Sequence, residues 1–313
     1  MSNYFSVFLE VLIFLLLLIP GYVLGKLKLI DSQSGKALTN ILIYVSIPFL
    51  VLKTFILTDL TTLSVLGVLV SALLPFVVVP ITLILGKKFF HADCGYENAV
   101  CSAFSNCGLM GIPLATALFS SDIQVAVYVS IFNVFSSFLM FTFGKWYLSE
   151  KRDNGSVVKG FFTPITIALV LGVIISLCNL NLNGGYIYRG IEMIASSSAP
   201  LSVILMGFLF SKVNVLSYLK RFSVYYVAFL KLILSPLIVI LILLMLKLTG
   251  LAVSYQLLYG VVLATAVPTA ATMPALVALY DKKEDYAVAL TAVNTCLSVL
   301  TIPTLLYLVQ IIV

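Results

Sequence analysis

The chain has 313 residues, of which 62% are hydrophobic and 10% are charged, and its formal net charge is +6. A soluble domain carries about 25% charged residues, so this chain has more apolar surface than a soluble fold of its length can bury. The basic residues are scattered between apolar runs, which excludes the basic face of a nucleic-acid-binding protein. Intrinsic disorder and a secreted disulfide scaffold are also excluded. The composition predicts an all-α polytopic membrane protein in a lipid bilayer.

Ten apolar stretches are long enough to be transmembrane helices, each of which needs about 20 mostly apolar residues. The first is kept as a spanning helix because Met1 to Glu10 lacks the basic flank of a signal peptide and no cleavage site follows. The loops between the stretches are short and polar. The predicted spans cover residues 5–25, 37–57, 63–86, 96–120, 123–148, 161–180, 190–211, 222–248, 255–280 and 285–312.

The distribution of Lys and Arg predicts the orientation of these spans. With the N-terminus outside the cell, only Lys53, Arg189 and Lys247 fall on the outer side and Lys231 lies within a span. All other Lys and Arg residues then lie inside or at the inner edge, as the positive-inside rule requires. We therefore expect a multi-pass protein of the cell membrane with both termini extracellular.

A hydrophilic linker at residues 149–160 divides the ten spans into two sets of five. Because five is odd, the second set enters the membrane in the opposite sense, which is the arrangement of inverted-repeat transporters. Pro113 of the fourth span and Pro274 of the ninth are 161 positions apart, and the same offset relates Asn133 of the fifth span to Asn294 of the tenth. The sequence thus predicts a first repeat at 1–148, a cytoplasmic linker at 149–160 and a second, inverted repeat at 161–313.

The fourth and ninth spans are predicted to be broken helices. Proline removes a helical hydrogen bond, and in lipid the freed backbone groups need another partner. A single proline is compatible with a harmless kink, but matched interruptions in two halves indicate a binding site. The interrupting residues are Gly108, Gly111 and Pro113 in the fourth span and Pro268, Thr269, Thr272 and Pro274 in the ninth.

Two half-helices that begin near the midplane expose unpaired N–H groups and the positive ends of their dipoles. Their convergence predicts a site for an anion. Asn106, just before the first interruption, can add an amide donor, and so can Asn133 and Asn294 from the neighbouring spans. For the last two the alternative role is to hold helices together, which is common for Asn in membranes.

The positions of the charged residues limit which transport mechanisms the sequence supports. No carboxylate occupies a midplane position, so a deep Asp/Glu proton relay is not expected. Lys231 is the one clearly buried charge; it can attract an anion, although we favour a stem that snorkels to the cytoplasmic interface. The five cysteines have no C-x-x-C spacing and are interpreted as packing residues, so we expect neither a metal site nor a cofactor.

At these residues the chain resembles the auxin efflux carrier family over nearly its whole length. The motifs that carry the resemblance are GKLKLID, IPFLV, SNCGLMGIPL, SSSAPLSVILMGFLF, KLILSPL, VPTAATMPALVALY and LTAVNTCLSVLTIP. The resemblance implies two inverted five-helix repeats and organic-anion substrates. Spans 1, 2, 6 and 7 would form a scaffold that is often dimeric, and spans 3–5 and 8–10 a moving transport domain with helices 4 and 9 crossing at their prolines. The site residues it implies are Asn106, Pro113, Pro268, Pro274, Asn133 and Asn294.

The short linker resembles the compact bacterial members of that family, which include malate and malonate permeases, rather than the plant exporters with their long central loop. The leading hypothesis is therefore a secondary transporter of a small carboxylate that works by alternating access. No P-loop occurs, so ATP drive within the chain is not supported. The coupling stays open between uniport, a proton and sodium; a distant resemblance to the bile-acid sodium symporters implies that sodium would be held near Asn106, Thr272 and Asn294.

Other classes stay open as alternatives: an exporter of an auxin-like aromatic carboxylate, a channel or a sensor. An intramembrane enzyme is not expected, because the chain has no midplane acid and its single histidine, His91, lies in a loop. A homodimer is expected from the family resemblance.

Overall fold

The structure, a computed structural model, describes residues 4–57, 63–88, 91–149, 164–178, 182 and 184–312. Over these ranges the regular structure is helical, and the only β pairing is a single isolated bridge. The predicted linker beyond Ser149 and the predicted ends of the sixth span, at 161–163 and 179–180, lie outside the described residues.

In the first half of the chain, the described residues between Tyr4 and Leu148 form nine α-helices. They are α1 (Tyr4–Leu16), α2 (Leu18–Lys26), α3 (Ser32–Ile41), α4 (Ile47–Ile56), α5 (Val65–Lys88), α6 (His91–Ala103), α7 (Ile112–Leu118), α8 (Gln124–Leu139) and α9 (Lys145–Leu148). Three π-helical stretches join some of them directly: Leu42–Ser46 leads into α4, Cys107–Gly111 leads into α7 and Met140–Gly144 connects α8 to α9.

The second half of the described chain contains eight more α-helices. They are α10 (Pro164–Leu177), α11 (Tyr186–Ser196), α12 (Ser198–Ser211), α13 (Phe222–Phe229), α14 (Ser235–Leu248), α15 (Tyr255–Ala266), α16 (Met273–Ala278) and α17 (Glu284–Ile312). A 3-10 turn, Val215–Tyr218, precedes α13, and the π-helical stretch Leu230–Leu234 connects α13 to α14.

Among the described residues, seven helical stretches are long and apolar enough to cross a membrane, judged by length and composition. They are Val7–Lys26, Gln33–Ile56, Val65–Lys88, Gln124–Leu148, Tyr186–Ser211, Phe222–Leu248 and Glu284–Ile312. Three shorter apolar helices, Cys107–Leu118, Pro164–Leu177 and Tyr255–Ala266, fall on the fourth, sixth and ninth predicted spans. Two of these are pieces of the interrupted segments, which is why they are shorter than a bilayer is thick. The protein is therefore polytopic, and ten spans stay a prediction.

Large apolar side chains point outward along these helices. Leu73 and Ile84 of α5 and Ile167 and Leu171 of α10 are exposed. Contiguous apolar surface of this kind is stable against lipid tails and not against water.

Proline explains most of the π-helical stretches. Those at Leu42–Ser46, Cys107–Gly111 and Leu230–Leu234 end shortly before Pro48, Pro113 and Pro236. Proline has no N–H to donate to the carbonyl four residues earlier, so the hydrogen-bond ladder changes register ahead of it. The carbonyl of Leu109, four residues before Pro113, accepts instead from Ser202 Oγ of α12 at 2.8 Å.

Glycines bring α2 and α12 together backbone to backbone. A Cβ added at Gly207 would lie 2.0 Å from the Leu18 carbonyl oxygen, and one at Gly21 would lie 2.0 Å from the Ile204 carbonyl oxygen. No larger residue fits at either position without separating the helices. Small residues permit such close approach in membrane proteins, where dispersion contacts rather than water exclusion hold helices together.

Candidate functional site

Both predicted spans are interrupted, and the two interruptions meet. In the fourth span the break lies at 104–106, ahead of the predicted Gly108, Gly111 and Pro113, which belong to the helical stretch that follows it. Helix α6 ends at Ala103, and helical structure resumes at Cys107; α15 ends at Ala266, and α16 begins at Met273. The two non-helical segments run antiparallel, with Ser105 opposite Thr269.

We call the place where these two non-helical segments meet the crossing. Two backbone hydrogen bonds connect the segments there. The Asn106 N–H donates to the Pro268 carbonyl at 2.8 Å, and the Ala270 N–H donates to the Phe104 carbonyl at 3.0 Å. The backbone groups freed by the breaks are therefore partly paired with each other across the crossing, as a low-dielectric surrounding requires.

Side chains donate hydrogen bonds to two carbonyls at the end of α15. Ala264 O accepts from Cys107 Sγ at 3.0 Å, and Thr265 O accepts from Lys231 Nζ at 2.8 Å. Helix ends leave their last carbonyls without intrahelical partners, so these contacts come from elements distant in sequence.

The Thr269 hydroxyl connects the broken segment to α6 and α17 through two hydrogen bonds. It donates to the Cys101 carbonyl at 2.6 Å and accepts from Asn294 Nδ2 at 2.7 Å. Both Thr269 and Asn294 are fully buried, and Asn294 Oδ1 has no hydrogen-bond partner among the described residues. Asn294 thus contacts the broken segment directly.

Asn133 stands in a comparable relation to the fourth segment. A Cβ at Gly108 would lie 3.4 Å from Asn133 Nδ2, and that amide nitrogen has no partner among the described residues. Gly108 and Thr269 are 161 positions apart, as are Asn133 and Asn294. The offset found in the sequence therefore relates two pairs of residues that lie next to each other in space.

Lys231 is completely buried at the crossing. Its Nζ donates to Ser105 Oγ at 2.5 Å and to the Thr265 carbonyl at 2.8 Å. No carboxylate oxygen of the described residues lies within 4.0 Å of this ammonium. The interpretation that Lys231 snorkels to the cytoplasmic interface is wrong, because oxygens at the break solvate the ammonium inside the protein.

A cleft that is open to the surface reaches the crossing. Four of the predicted site residues line it: Asn106, Gly108, Asn133 and Thr272. The remaining polar lining residues, which sequence reasoning missed, are Ser105, Ser136 and Ser137. The apolar lining residues, also missed, are Ile43, Ile47, Phe104, Leu109, Met140, Phe141, Ile165 and Ala270.

One sequence signal could have found two of the missed serines. Asn133, Ser136 and Ser137 follow the spacing i, i+3, i+4 and therefore share one face of α8. The other residues predicted to bind substrate do not line the cleft. They are the buried residues Gly111, Pro113, Pro268, Thr269, Pro274 and Asn294.

A second, narrower cleft has mainly apolar walls. Met110 and Met206 line it, together with residues of α1, α2 and α17. Asn106, which lines the first cleft, contacts Met206, which lines the second, with 3.4 Å between Nδ2 and Sδ.

The fold defines a polytopic helical membrane protein in which a surface cleft reaches the crossing of two broken helices. The chain belongs to the membrane transport protein family, whose sequence model matches residues 6–306. It is also similar to an uncharacterized transporter of Methanocaldococcus jannaschii, with 26% identity over 211 residues that cover 63% of this chain and 67% of that protein. The family assignment made from the auxin efflux carrier motifs is thereby confirmed. The protein is a multi-span membrane transporter, and its family is not an enzyme family.

Proposed function

We propose that this transporter is a secondary carrier of a small organic anion, a carboxylate such as malate or malonate, which it binds at the crossing and moves by alternating access. The observation that carries the proposal is the Lys231 ammonium, which is buried, has no carboxylate of the described residues within 4.0 Å and is bonded to Ser105 on the cleft wall. An isolated buried charge costs several kcal/mol unless it is compensated, so a bound anion would supply the missing counter-charge.

An anion bound to Ser105 would lie close enough to the Lys231 ammonium to be attracted by it. A carboxylate that accepts a hydrogen bond from Ser105 would place its oxygen about 5 Å from Lys231 Nζ, given ordinary hydrogen-bond lengths. At an effective dielectric constant near 20, two unit charges at that separation attract by about 3 kcal/mol. The Ser105 hydroxyl is itself polarised by the ammonium that it accepts from, which makes it a stronger donor towards the cleft.

Neutral donors near the same wall complete the proposed site. The helix Cys107–Leu118 begins at the crossing and directs the positive end of its dipole there. Asn133 Nδ2, buried and without a partner among the described residues, sits beside Gly108. An amide donor and a helix start at one wall suit a carboxylate better than a cation.

The finer architecture is part of the proposal. We propose ten spans as two inverted repeats, residues 1–148 and 161–313, both termini outside, with spans 1, 2, 6 and 7 as scaffold and spans 3–5 and 8–10 as the transport domain. The shared offset of the Gly108–Asn133 and Thr269–Asn294 pairs supports the inverted repeat. A homodimer is proposed from the family resemblance.

A second substrate candidate is a larger aromatic carboxylate of the auxin type. The apolar wall of the cleft, which includes Ile47, Phe104 and Phe141, favours a substrate with an apolar body. A dicarboxylate would leave its second charge against that wall.

Uptake into liposomes that contain the purified protein tests the proposal. We expect saturable, counterflow-stimulated uptake of labelled malate or malonate, or competition by an aromatic acid if the second candidate is correct. Ser105→Ala should raise the half-saturation concentration about tenfold, whereas Ser217→Ala in the exposed turn before α13 should leave it unchanged. Uptake that never saturates would indicate a channel, and no uptake of any carboxylate would refute the assignment.

A further inference from the structure

We infer that the ammonium group of Lys231 takes the place of a coupling cation at the crossing, so that anion transport by this chain needs no sodium. The inference rests on the proposed function, because it concerns the ion that accompanies the anion. If the inference is correct, no sodium ion binds near Asn106, Thr272 and Asn294, a possibility that the sequence left open.

A sodium ion at a broken helix would be coordinated by the carbonyl oxygens that the break releases, since hard cations prefer oxygen ligands. At the end of α15, the Thr265 carbonyl already receives Lys231 Nζ at 2.8 Å. The Ala264 carbonyl receives Cys107 Sγ at 3.0 Å. A second cation at these oxygens would sit against the ammonium and be repelled by it.

The carbonyls of the other segments have donors as well. Phe104 O accepts the Ala270 N–H and Pro268 O accepts the Asn106 N–H, while Cys101 O accepts the Thr269 hydroxyl. A carbonyl has a second lone pair, so one donor does not by itself exclude a cation. A second cation is excluded because the positive charge of Lys231 lies between the two segments and repels it.

Lys231 also performs the mechanical task of a bound ion. Its own backbone lies in the π-helical stretch Leu230–Leu234, and its two acceptors lie in the interruption after α6 and at the end of α15. One ammonium thus joins three elements that are distant in sequence. A sodium ion would join the same elements only when bound, whereas this cation is covalently part of the chain.

Asn294 Oδ1 is the one oxygen of the proposed sodium set that is buried and without a partner among the described residues. Its amide group already donates to Thr269, and the Thr269 hydroxyl is committed to Cys101. One amide oxygen does not complete the six or so ligands of a cation of this type. Sodium dependence that disappeared in Asn294→Ala would overturn the inference in favour of this oxygen.

The first experiment compares uptake by the wild-type protein in liposomes in sodium chloride, potassium chloride and choline chloride. We expect initial rates within twofold of each other. A tenfold or larger stimulation by sodium would overturn the inference and leave the proposed function intact. Absence of carboxylate uptake in every salt would instead refute the proposed function.

The second experiment removes the resident charge. Lys231→Ala should lower uptake at least tenfold, and ethylammonium should restore it in part, because a small ammonium can occupy the vacated space between Ser105 and Thr265. Lys231→Gln fills the space without a charge and should not be restored. Lys247→Ala, an exposed residue at the far end of the same span, should transport like the wild type.

Full uptake by Lys231→Ala without any added cation would overturn the inference. Loss of uptake that ethylammonium and sodium both fail to restore would also count against it, provided that the variant elutes as a folded protein and unfolds cooperatively. If the variant does not fold, the salt comparison of the wild type decides.

Discussion

Replacing Thr269 with valine removes one hydroxyl from the centre of the crossing and nearly preserves the size of the side chain. The hydroxyl is fully buried, donates to the Cys101 carbonyl at 2.6 Å and accepts from Asn294 Nδ2 at 2.7 Å. Thr269→Val therefore deprives two buried polar groups of a partner at once.

Each buried group left without a partner costs about 1–3 kcal/mol in soluble proteins, while interhelical hydrogen bonds in membranes average about 0.6 kcal/mol. For two groups we expect a loss of about 1–4 kcal/mol in the free energy of unfolding. For a chain of this length each kcal/mol lowers the melting temperature by about 2 °C, so the expected shift is about 2–8 °C.

Thermal unfolding of the purified protein in detergent, followed by circular dichroism, measures this shift. Thr304→Val is the matched control, because Thr304 is exposed and its hydroxyl bonds only to the Leu300 carbonyl of its own helix. The double variant with Asn294→Ala should be less destabilised than the sum of the two single variants. Equal melting temperatures for Thr269→Val and Thr304→Val would refute the account of the crossing given above.

Three further predictions test packing, orientation and the cleft. Gly207→Ala should lower the free energy of unfolding by about 1–3 kcal/mol, because its Cβ would lie 2.0 Å from the Leu18 carbonyl oxygen; Gly190→Ala, where nothing lies within 4 Å, should be neutral or slightly stabilising in the same melting assay. In intact cells, a membrane-impermeant maleimide should label the exposed thiol of Cys178, which follows α10 on the proposed extracellular side; labelling only after the cells are opened would reverse the orientation. Asn133→Asp should weaken carboxylate uptake at least tenfold by placing a negative charge in the cleft, and unchanged uptake would remove Asn133 from the site.

Much of the candidate site could be located from the sequence because the chemistry of its breaks is local. Pro113 and Pro274 cannot complete a helical ladder, whatever surrounds them, and their matched positions indicated which two spans would be interrupted, although the break in the fourth span lies at 104–106, ahead of Pro113. Asn106, Gly108, Asn133 and Thr272 do line the cleft. The side of the helix on which each further residue falls could not be predicted, because a π-helical stretch such as Cys107–Gly111 inserts an extra residue and turns the following helix about its axis.

The class of the protein follows from its sequence, because the apolar composition requires a bilayer and each proline within a helix leaves a carbonyl that some other group must satisfy. Proline alone does not set the breaks, since Pro75, Pro80 and Pro303 lie within continuous helices. Which groups satisfy the freed carbonyls depends on how the helices pack. Lys231 lies in a different span from both of its acceptors, Ser105 and Thr265, and the three residues meet only after the helices pack. A buried ammonium goes where oxygens can solvate it, and the positions of those oxygens depend on contacts between residues far apart in the chain, which local propensity does not encode.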